Sequence, residues 1–244
     1  MSGETIALAA AALMIAGFVQ GLTGFGFGLS AMGLLPIALH DFDEVQALST
    51  VAGMACFIAL TGVTLRHVQW SGVRQLWLST SIAIPLGYYL LKQLPEDIIF
   101  RMLGAVICLL VLFEIFVTRR YAIRLPGWSA WPIGLISGAL SGAFNVGGPP
   151  LVAWVYDRPW TKEQQVATLS GMFLSTGIIR LAIMHTEDHL TTTTWTVAAW
   201  SVGPMILAII VGNRLLKFVP QDRLRSIIYA ALLLLGAWYL VFGH

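Results

Sequence analysis

The composition of the chain indicates that most of its surface faces lipid rather than water. Of its 244 residues, 57% are hydrophobic and only 11% are charged, and the mean hydropathy is +0.80. A soluble domain carries roughly 25% charged residues, so a soluble globular protein is excluded and a single transmembrane domain is predicted over residues 1–244. The net charge of +2 and the lack of a basic run exclude a nucleic-acid partner and leave the lipid bilayer as the expected environment.

The first apolar region, residues 5–39, is predicted to be a broken helix rather than an ordinary span. A spanning helix needs about 20 mostly apolar residues, and here the apolar stretch is interrupted by a glycine-rich run at 23–28. We therefore expect a helical hairpin that enters the bilayer and returns to the side from which it came. Three ordinary spans are predicted next, at 45–65, 72–92 and 98–118.

The second half of the chain repeats this order. Residues 128–156 form another apolar region, interrupted at 141–150, and its 29 residues are too few for two crossings of about 20 residues each. A second hairpin is therefore predicted, and we expect the two hairpins to meet near the middle of the bilayer. Three more spans follow, at 164–184, 195–216 and 224–243. The predicted fold class is all-α, that of a polytopic integral membrane protein.

Sequence identity between the halves predicts two repeats, 1–120 and 126–244. Residues 87–97 agree with residues 212–222 at six of eleven positions, at an offset of 125. In a chain this apolar, two related halves indicate a transporter that is built from structural repeats and has its site between them.

A second match between the halves involves glycines. The motif Gly17-xxx-Gly21 matches Gly134-xxx-Gly138 at an offset of 117. This offset is smaller than the offset of 125 between residues 87–97 and 212–222. The sequence therefore predicts about eight extra residues in the second half, at 185–194.

The distribution of lysine and arginine predicts the orientation, because cytoplasmic loops collect these residues. With the N-terminus outside and each hairpin returning to its own side, 11 of the 14 lysines and arginines fall inside. Each half then makes an odd number of crossings, so the halves have opposite orientations and both termini lie outside. Such an inverted repeat supports alternating access. A hairpin that crossed once would change this parity and worsen the charge distribution.

The glycine-rich interruptions are predicted to bind a small anion. Non-helical backbone at mid-membrane is tolerated only inside protein or beside a wet cavity. The N-terminus of a restarting helix also presents N–H groups with partial positive charge, which bind anions. The candidate substrate-binding residues on the backbone are Gly24, Gly26, Gly28, Gly147, Gly148 and Pro149. The candidate side-chain donors are Thr23, Ser141 and Asn145.

A purely structural interpretation competes with this one. A serine or threonine inside a helix commonly bonds its own carbonyl one turn back, whereas Asn145 has no such easy alternative and is the strongest side-chain candidate. Five other glycines follow small-xxx-small spacing, which favours close helix packing over a role in a cavity: Gly17, Gly21, Gly134, Gly138 and Gly142.

The two interruptions also carry a family resemblance. The motifs are Gly17-Phe-Val-Gln-Gly21-Leu-Thr-Gly24-Phe-Gly26-Phe-Gly28 and Gly138-Ala-Leu-Ser-Gly142-Ala-Phe-Asn-Val-Gly147-Gly148-Pro149-Pro150. They resemble the paired signatures of the sulfite exporter TauE/SafE family, also called the toluenesulfonate uptake permeases, although phenylalanines separate the glycines of the first motif. The resemblance implies a bacterial inner-membrane transporter of small sulfur-containing anions such as sulfite, thiosulfate or sulfonates.

Two ionisable residues within the predicted spans are candidates for gating or coupling. Glu114 lies near the inner end of its span, where an interfacial carboxylate is favoured over a proton relay. Arg180 lies near the outer end of its span, where it either snorkels to the interface or guides anions. The histidines at 185 and 189 fit a solvated loop better than a metal site, and the run at 24–28 lacks the lysine of a nucleotide-binding loop. No metal or other cofactor is expected.

The leading hypothesis is a secondary transporter of small sulfur oxyanions or organosulfur anions that works by alternating access. A passive anion channel or facilitator, with the same glycine turns lining a continuous pore, is the alternative. An enzyme is not expected, because no catalytic constellation is evident. A homodimer is left open beside the monomer.

Overall fold

The structure is a computed structural model, and it describes residues 3–23, 26–61, 65–118, 125–215 and 221–243. These residues form α-helices joined by short turns, and no strand occurs among them. The first half contains α1 (Gly3–Thr23), α2 (Phe27–Leu34), α3 (Phe42–Thr61), α4 (Trp70–Leu91) and α5 (Glu96–Phe113). The second half contains α6 (Ala130–Phe144), α7 (Gly148–Tyr156), α8 (Lys162–Thr186), α9 (Thr192–Leu215) and α10 (Gln221–Phe242).

The prediction of an all-α polytopic membrane protein is confirmed. Each of the six predicted spans coincides with one long helix, from α3 to α5 and from α8 to α10. Four helical segments among the described residues are long and apolar enough to cross a membrane: Gly3–Thr23, Glu96–Phe116, Lys162–Thr186 and Thr192–Leu215. Both predicted hairpins are broken helices, since α1 stops before α2 and α6 stops before α7.

The first hairpin reaches deeper than a shallow re-entrant loop would. Helix α1 has 21 residues, which is about 31 Å of helix at 1.5 Å per residue. That length alone matches the roughly 30 Å thickness of the hydrocarbon core. Helix α6 is shorter, with 15 residues.

The helices of the two halves pack in reciprocal pairs. Helix α1 packs on α9, and α6, its counterpart in the second half, packs on α4, the counterpart of α9. Helix α3 packs on its own counterpart α8, and α5 packs on its own counterpart α10. Each contact between two helices is thus repeated by the corresponding helices of the other half. A two-fold relation between the halves would produce this pattern.

The two pairs of counterparts are antiparallel. In the first pair, Thr50 of α3 contacts Arg180 of α8, and further along α3 the ring of Phe57 lies 5.0 Å from that of Phe173. In the second pair, Phe100 of α5 lies beside Tyr239 of α10, while Cys108 lies beside Leu233. Residue numbers thus rise along one helix as they fall along its partner.

Glycines allow α1 and α6 to approach their partners at backbone distance. A Cβ at Gly17 or Gly21 would overlap the backbone carbonyl of Met205 or Ile209 in α9. A Cβ at Gly138 or Gly142 would likewise overlap the backbone of Thr80 or Ile84 in α4. The packing role favoured for these glycines is therefore confirmed.

The same contacts correct the alignment of the two halves. Gly17 and Gly21 occupy the positions of Gly138 and Gly142, an offset of 121, because each pair packs against the equivalent part of its partner helix. The sequence match to Gly134 was one helical turn out of register. The second half therefore exceeds the first by four residues before the later match at 125, not by about eight.

We predict that Gly21→Ala destabilises the fold and that Gly203→Ala does not. The added methyl group at position 21 meets the carbonyl of Ile209, and such overpacking costs about 1–3 kcal/mol. At Gly203, also in a helix of this pair, nothing lies within 4 Å of the new methyl group. Thermal unfolding of the purified protein in detergent measures both. Equal melting temperatures for the two variants would contradict the close packing of α1 on α9.

Candidate functional site

The two helix breaks lie against each other in the interior of the protein. A Cβ at Gly28, in the first turn of α2, would overlap the backbone carbonyl of Asn145, the residue that ends α6. Only glycine at position 28 permits this approach. The structure thus brings together two interruptions that are more than 100 residues apart in the sequence.

A cavity of about 60 Å³ lies where the breaks meet. Its walls come from both breaks and from the facing sides of α3 and α8. Of the predicted site residues, seven line this cavity: Gly26, Gly28, Ser141, Asn145, Gly147, Gly148 and Pro149. Gly24 lies outside the described residues.

Thr23 does not line the main cavity. Its hydroxyl donates a hydrogen bond of 2.9 Å to the carbonyl of Val19, one turn back along α1. This is the structural alternative that applies to a hydroxyl inside a helix. We therefore remove Thr23 from the set of candidate donors.

The start of α2 is held by a side chain that the sequence did not single out. Gly26 has a φ of 99°, a left-handed conformation that favours glycine, and no side chain caps the helix from that position. Instead Gln20 of α1 accepts a hydrogen bond of 3.0 Å from the N–H of Phe27. The next two N–H groups, of Gly28 and Leu29, belong to the first turn, where no helical carbonyl can accept them.

The start of α7 offers fewer donors than the sequence hypothesis assumed. Gly147 is the N-cap residue, and Pro149 and Pro150 follow directly after Gly148. Proline fits the first turn of a helix but has no N–H. The backbone donors at this end of the cavity are therefore those of Gly147 and Gly148.

Helix α3 holds the end of α6 in place. Asn145 has a φ of 55°, and its side-chain amide donates a 3.1 Å hydrogen bond to the hydroxyl of Ser49. One turn earlier on α3, Gln46 donates from its amide to the carbonyl of Ala143. Because asparagine tolerates the left-handed conformation better than most residues, position 145 both ends α6 and presents a polar group to the cavity.

Arg180 is buried behind the cavity and does not snorkel. Its side chain is 2% exposed. Its Nε donates a 3.1 Å hydrogen bond to the hydroxyl of Thr50, and one terminal nitrogen donates to the carbonyls of Ser141 and Gly142, at 2.9 Å for the latter. These carbonyls belong to the last turn of α6, where the partial negative charge of the helix end makes a cation favourable. The snorkelling interpretation is therefore wrong, because Arg180 is buried and its guanidinium group donates its hydrogen bonds inside the protein.

The charge of Arg180 is not neutralised by a carboxylate within the part of the chain that the structure describes. Its other terminal nitrogen is buried and has no hydrogen-bond partner there. A buried charge without a counter-ion is costly, and the cost falls when an ion of opposite sign binds nearby. Because Thr50 and Ser141 line the cavity and also contact Arg180, the positive charge lies directly behind the cavity wall.

Glu114 lies elsewhere. It begins a π-helical turn, Glu114–Thr118, that extends α5, and its side chain is only 5% exposed. It lines a smaller cavity of about 20 Å³ together with Thr23 and Tyr229. The prediction that Glu114 is an interfacial carboxylate is therefore wrong. Its side chain is buried, because α1, α2 and α10 enclose it.

The sequence hypothesis missed several polar residues around the site. Gln46, Ser49 and Thr50 are spaced so that they share one face of α3, and this spacing was a usable signal. Thr176 and Arg180 share a face of α8 in the same way. Polar residues that recur with helical spacing inside an apolar span indicate contact with something polar in the protein interior.

The structure and the site together define a polytopic membrane protein with a polar cavity between two broken helices. A family model described as "Sulfite exporter TauE/SafE" matches residues 9–239. The chain belongs to the sulfite exporter TauE/SafE family, and it is a membrane transporter.

Two curated relatives are similar over most of their length. A "Probable sulfite/organosulfonate exporter TauE" from Cupriavidus necator is 28% identical over 236 residues, which are 93% of this chain and 90% of the relative. A "Probable inner membrane transporter protein TsaS" from Comamonas testosteroni is 22% identical over 177 residues, 72% of this chain and 74% of the relative. No solved structure matches the chain.

We predict that Asn145→Leu lowers stability more than Asn145→Gly. Both variants lose the hydrogen bond to Ser49 and both must adopt a φ of 55°, but only leucine, which has a Cβ, incurs a steric cost of about 1–2 kcal/mol there. Thermal unfolding in detergent separates the two effects, and we expect the leucine variant to melt several degrees lower. If leucine were tolerated as well as glycine, the left-handed end of α6 would be refuted. For functional tests, the glycine variant is the better choice.

Proposed function

We propose that the protein is a secondary transporter of small sulfur oxyanions or organosulfur anions, such as sulfite, thiosulfate or sulfonates, in a bacterial inner membrane. Family membership and the printed names of the relatives support this substrate class and location. The observation that carries the proposal is Arg180, a buried cation set directly behind a cavity between two helix breaks.

The cavity suits a small anion in both size and chemistry. About 60 Å³ corresponds to a few water molecules, and therefore to a solute of only a few heavy atoms. N–H groups at the starts of α2 and α7 and the amide of Asn145 supply donors, while Arg180 supplies charge from behind. The proposed substrate-binding residues are Gly26, Gly28, Ser141, Asn145, Gly147, Gly148 and Pro149.

We propose further that residues 1–120 and 126–244 are inverted repeats. A two-fold axis along the membrane normal would make α3 parallel to α8 and α5 parallel to α10. Both pairs are antiparallel, which supports an axis lying in the membrane plane. The parallel packing of α1 on α9 and of α6 on α4 fits the same arrangement.

An apolar cluster lies towards the end of the protein where α3 begins. This small cluster of Ala47, Tyr88 and Met184 packs beside the polar contacts of Gln46, Ser49 and Arg180. We propose that it closes the cavity on this side in one state of a carrier, whereas a channel would need a continuous path.

Two contacts between polar side chains of the two halves lie beyond that apolar cluster. Lys92 lies 2.6 Å from Glu187, and His189 lies 3.5 Å from Asp43. The hydrogen bond from Lys92 lowers the pKa of the Glu187 carboxyl, so this pair is charged at neutral pH. Both pairs join the two halves. In the orientation that the positive charges predict, these contacts lie towards the outer side of the protein.

Transport and charge are tested together in proteoliposomes. Proteoliposomes that contain the wild-type protein are loaded with unlabelled sulfite. We expect them to take up labelled sulfite by counterflow, at a rate that saturates with sulfite concentration. Arg180→Gln, which keeps hydrogen-bond donors but removes the charge, is expected to lower this uptake at least tenfold, because charge-assisted bonds contribute about 1.5–3 kcal/mol. Arg180→Lys keeps the charge and should retain more activity than the glutamine variant.

The matched control is Arg101→Gln. Arg101 is 50% exposed and pairs with Asp97 on the surface of α5, so its loss should leave uptake unchanged. Ion conductance without saturation or counterflow would favour the channel. Equal uptake by folded Arg180→Gln and wild-type protein would remove the buried charge from the site.

The proposed topology, in which α8 crosses the membrane once, predicts opposite exposure for the two ends of this helix. A cysteine introduced at Asp188 should react with an impermeant maleimide added outside intact cells, whereas one at Lys162 should react only after permeabilisation. Cys56 is buried and Cys108 is half-buried, so both are replaced by serine to remove background. Labelling of both positions from one side would contradict the predicted crossing.

A further inference from the structure

The cavity has a polar end and an apolar end. On α3, Thr50, Met54 and Phe57 line it in succession, spaced so that all three face the same side. Along this stripe the side chains change from a hydroxyl to a thioether and then to an aromatic ring. Polarity therefore falls along α3 in the direction away from Arg180.

Along α8 the polarity also falls with distance from Arg180, but here it falls towards lower residue numbers. Arg180 lies behind the cavity, Thr176 and Gly177 line its middle, and Phe173 lines its far end. Because α8 runs antiparallel to α3, the two gradients coincide in space. The apolar ends meet where the rings of Phe57 and Phe173 lie 5.0 Å apart with an angle of 32° between their planes.

Small residues shape this apolar end. A Cβ at Gly177 would overlap the sulfur of Met54, so the missing side chain makes room for the thioether. A Cβ at Gly148 would lie 3.6 Å from the ring of Phe173, in ordinary van der Waals contact. The side chains of Met54, Phe57 and Phe173 are only partly buried, and each has surface available to a molecule in the cavity.

We propose that Met54, Phe57 and Phe173 determine substrate specificity by binding the organic substituent of a sulfonate whose charged head lies at the Arg180 end. This inference rests on the proposed function. A purely inorganic anion would satisfy the polar end and leave the apolar end unfilled. A sulfonate with a short carbon chain fills both, and one methylene group in an apolar pocket can change discrimination by roughly 10- to 200-fold.

The test is a homologous series in which the charged head stays constant. KM for counterflow is measured for methanesulfonate, ethanesulfonate and propanesulfonate, with sulfite as the anion that lacks a substituent. For wild-type protein we expect KM to fall at least about tenfold for each added methylene group that the apolar end accommodates, from methanesulfonate towards propanesulfonate. In Phe173→Ala and in Phe57→Ala this dependence on chain length should shrink to less than twofold, while KM for sulfite changes less than twofold.

Two further variants keep the test decisive. Phe173→Leu retains an apolar side chain, so it should preserve the dependence on chain length even if the alanine variant folds poorly. Phe116→Ala removes a phenylalanine that is 52% exposed and remote from the cavity, and it should behave as wild type.

The possible outcomes separate this inference from the proposed function. An equal loss for sulfite and all three sulfonates would show that the rings act as a gate and would overturn the specificity role. Sulfite transport with no dependence on chain length in the wild type would also overturn it, yet would leave the proposed function intact. Absence of counterflow for every anion would instead refute the proposed function itself.

Discussion

Two helices stop inside an apolar protein, and the peptide groups exposed by those stops determine much of the surrounding structure. In the interior of a membrane protein, no water is available to satisfy them. Side chains from other helices do so instead: Gln20 accepts from the start of α2, while Gln46 and Arg180 donate to the end of α6. Ser137 donates to Gly147 in the same way. The polar residues of otherwise apolar helices are therefore explained first by the breaks themselves.

This arrangement leaves an excess of positive charge at the cavity. The carbonyls at the end of α6 would place partial negative charge there, but Gln46 and Arg180 bind them. The starts of α2 and α7 both line the same cavity, and neither N-cap residue caps its helix with a side chain. One full charge and two partial charges of the same sign agree with the proposed anion site, although no arginine or lysine is among the described residues that line the cavity.

Local features of the fold could be predicted from the sequence, and partners across the structure could not. Glycine-rich runs inside apolar stretches predicted the positions of both helix breaks. Seven residues that line the cavity were predicted with them, because these residues lie within the runs. Gln46 was missed because its partner Ala143 is 97 residues away. The environment of Arg180 was misjudged because its distance from a helix end says nothing about which helices cover it. The glycine register failed because Gly134, Gly138 and Gly142 recur every four residues, so two alignments fit equally well.

Only one of the two halves supplies a cation at the cavity, and this limits the number of anions that the site can bind. Helices α3 and α8 begin 120 residues apart and the following helices 122 apart, so the counterpart of Arg180 in the first half falls at residues 58–60. Those residues are Ile, Ala and Leu, with no charge. Two equivalent anion sites related by the pseudo-two-fold would each need such a cation. A single arginine, contributed by one half and bonded to Thr50 of the other, therefore agrees with the proposal of one anion site between the halves rather than two.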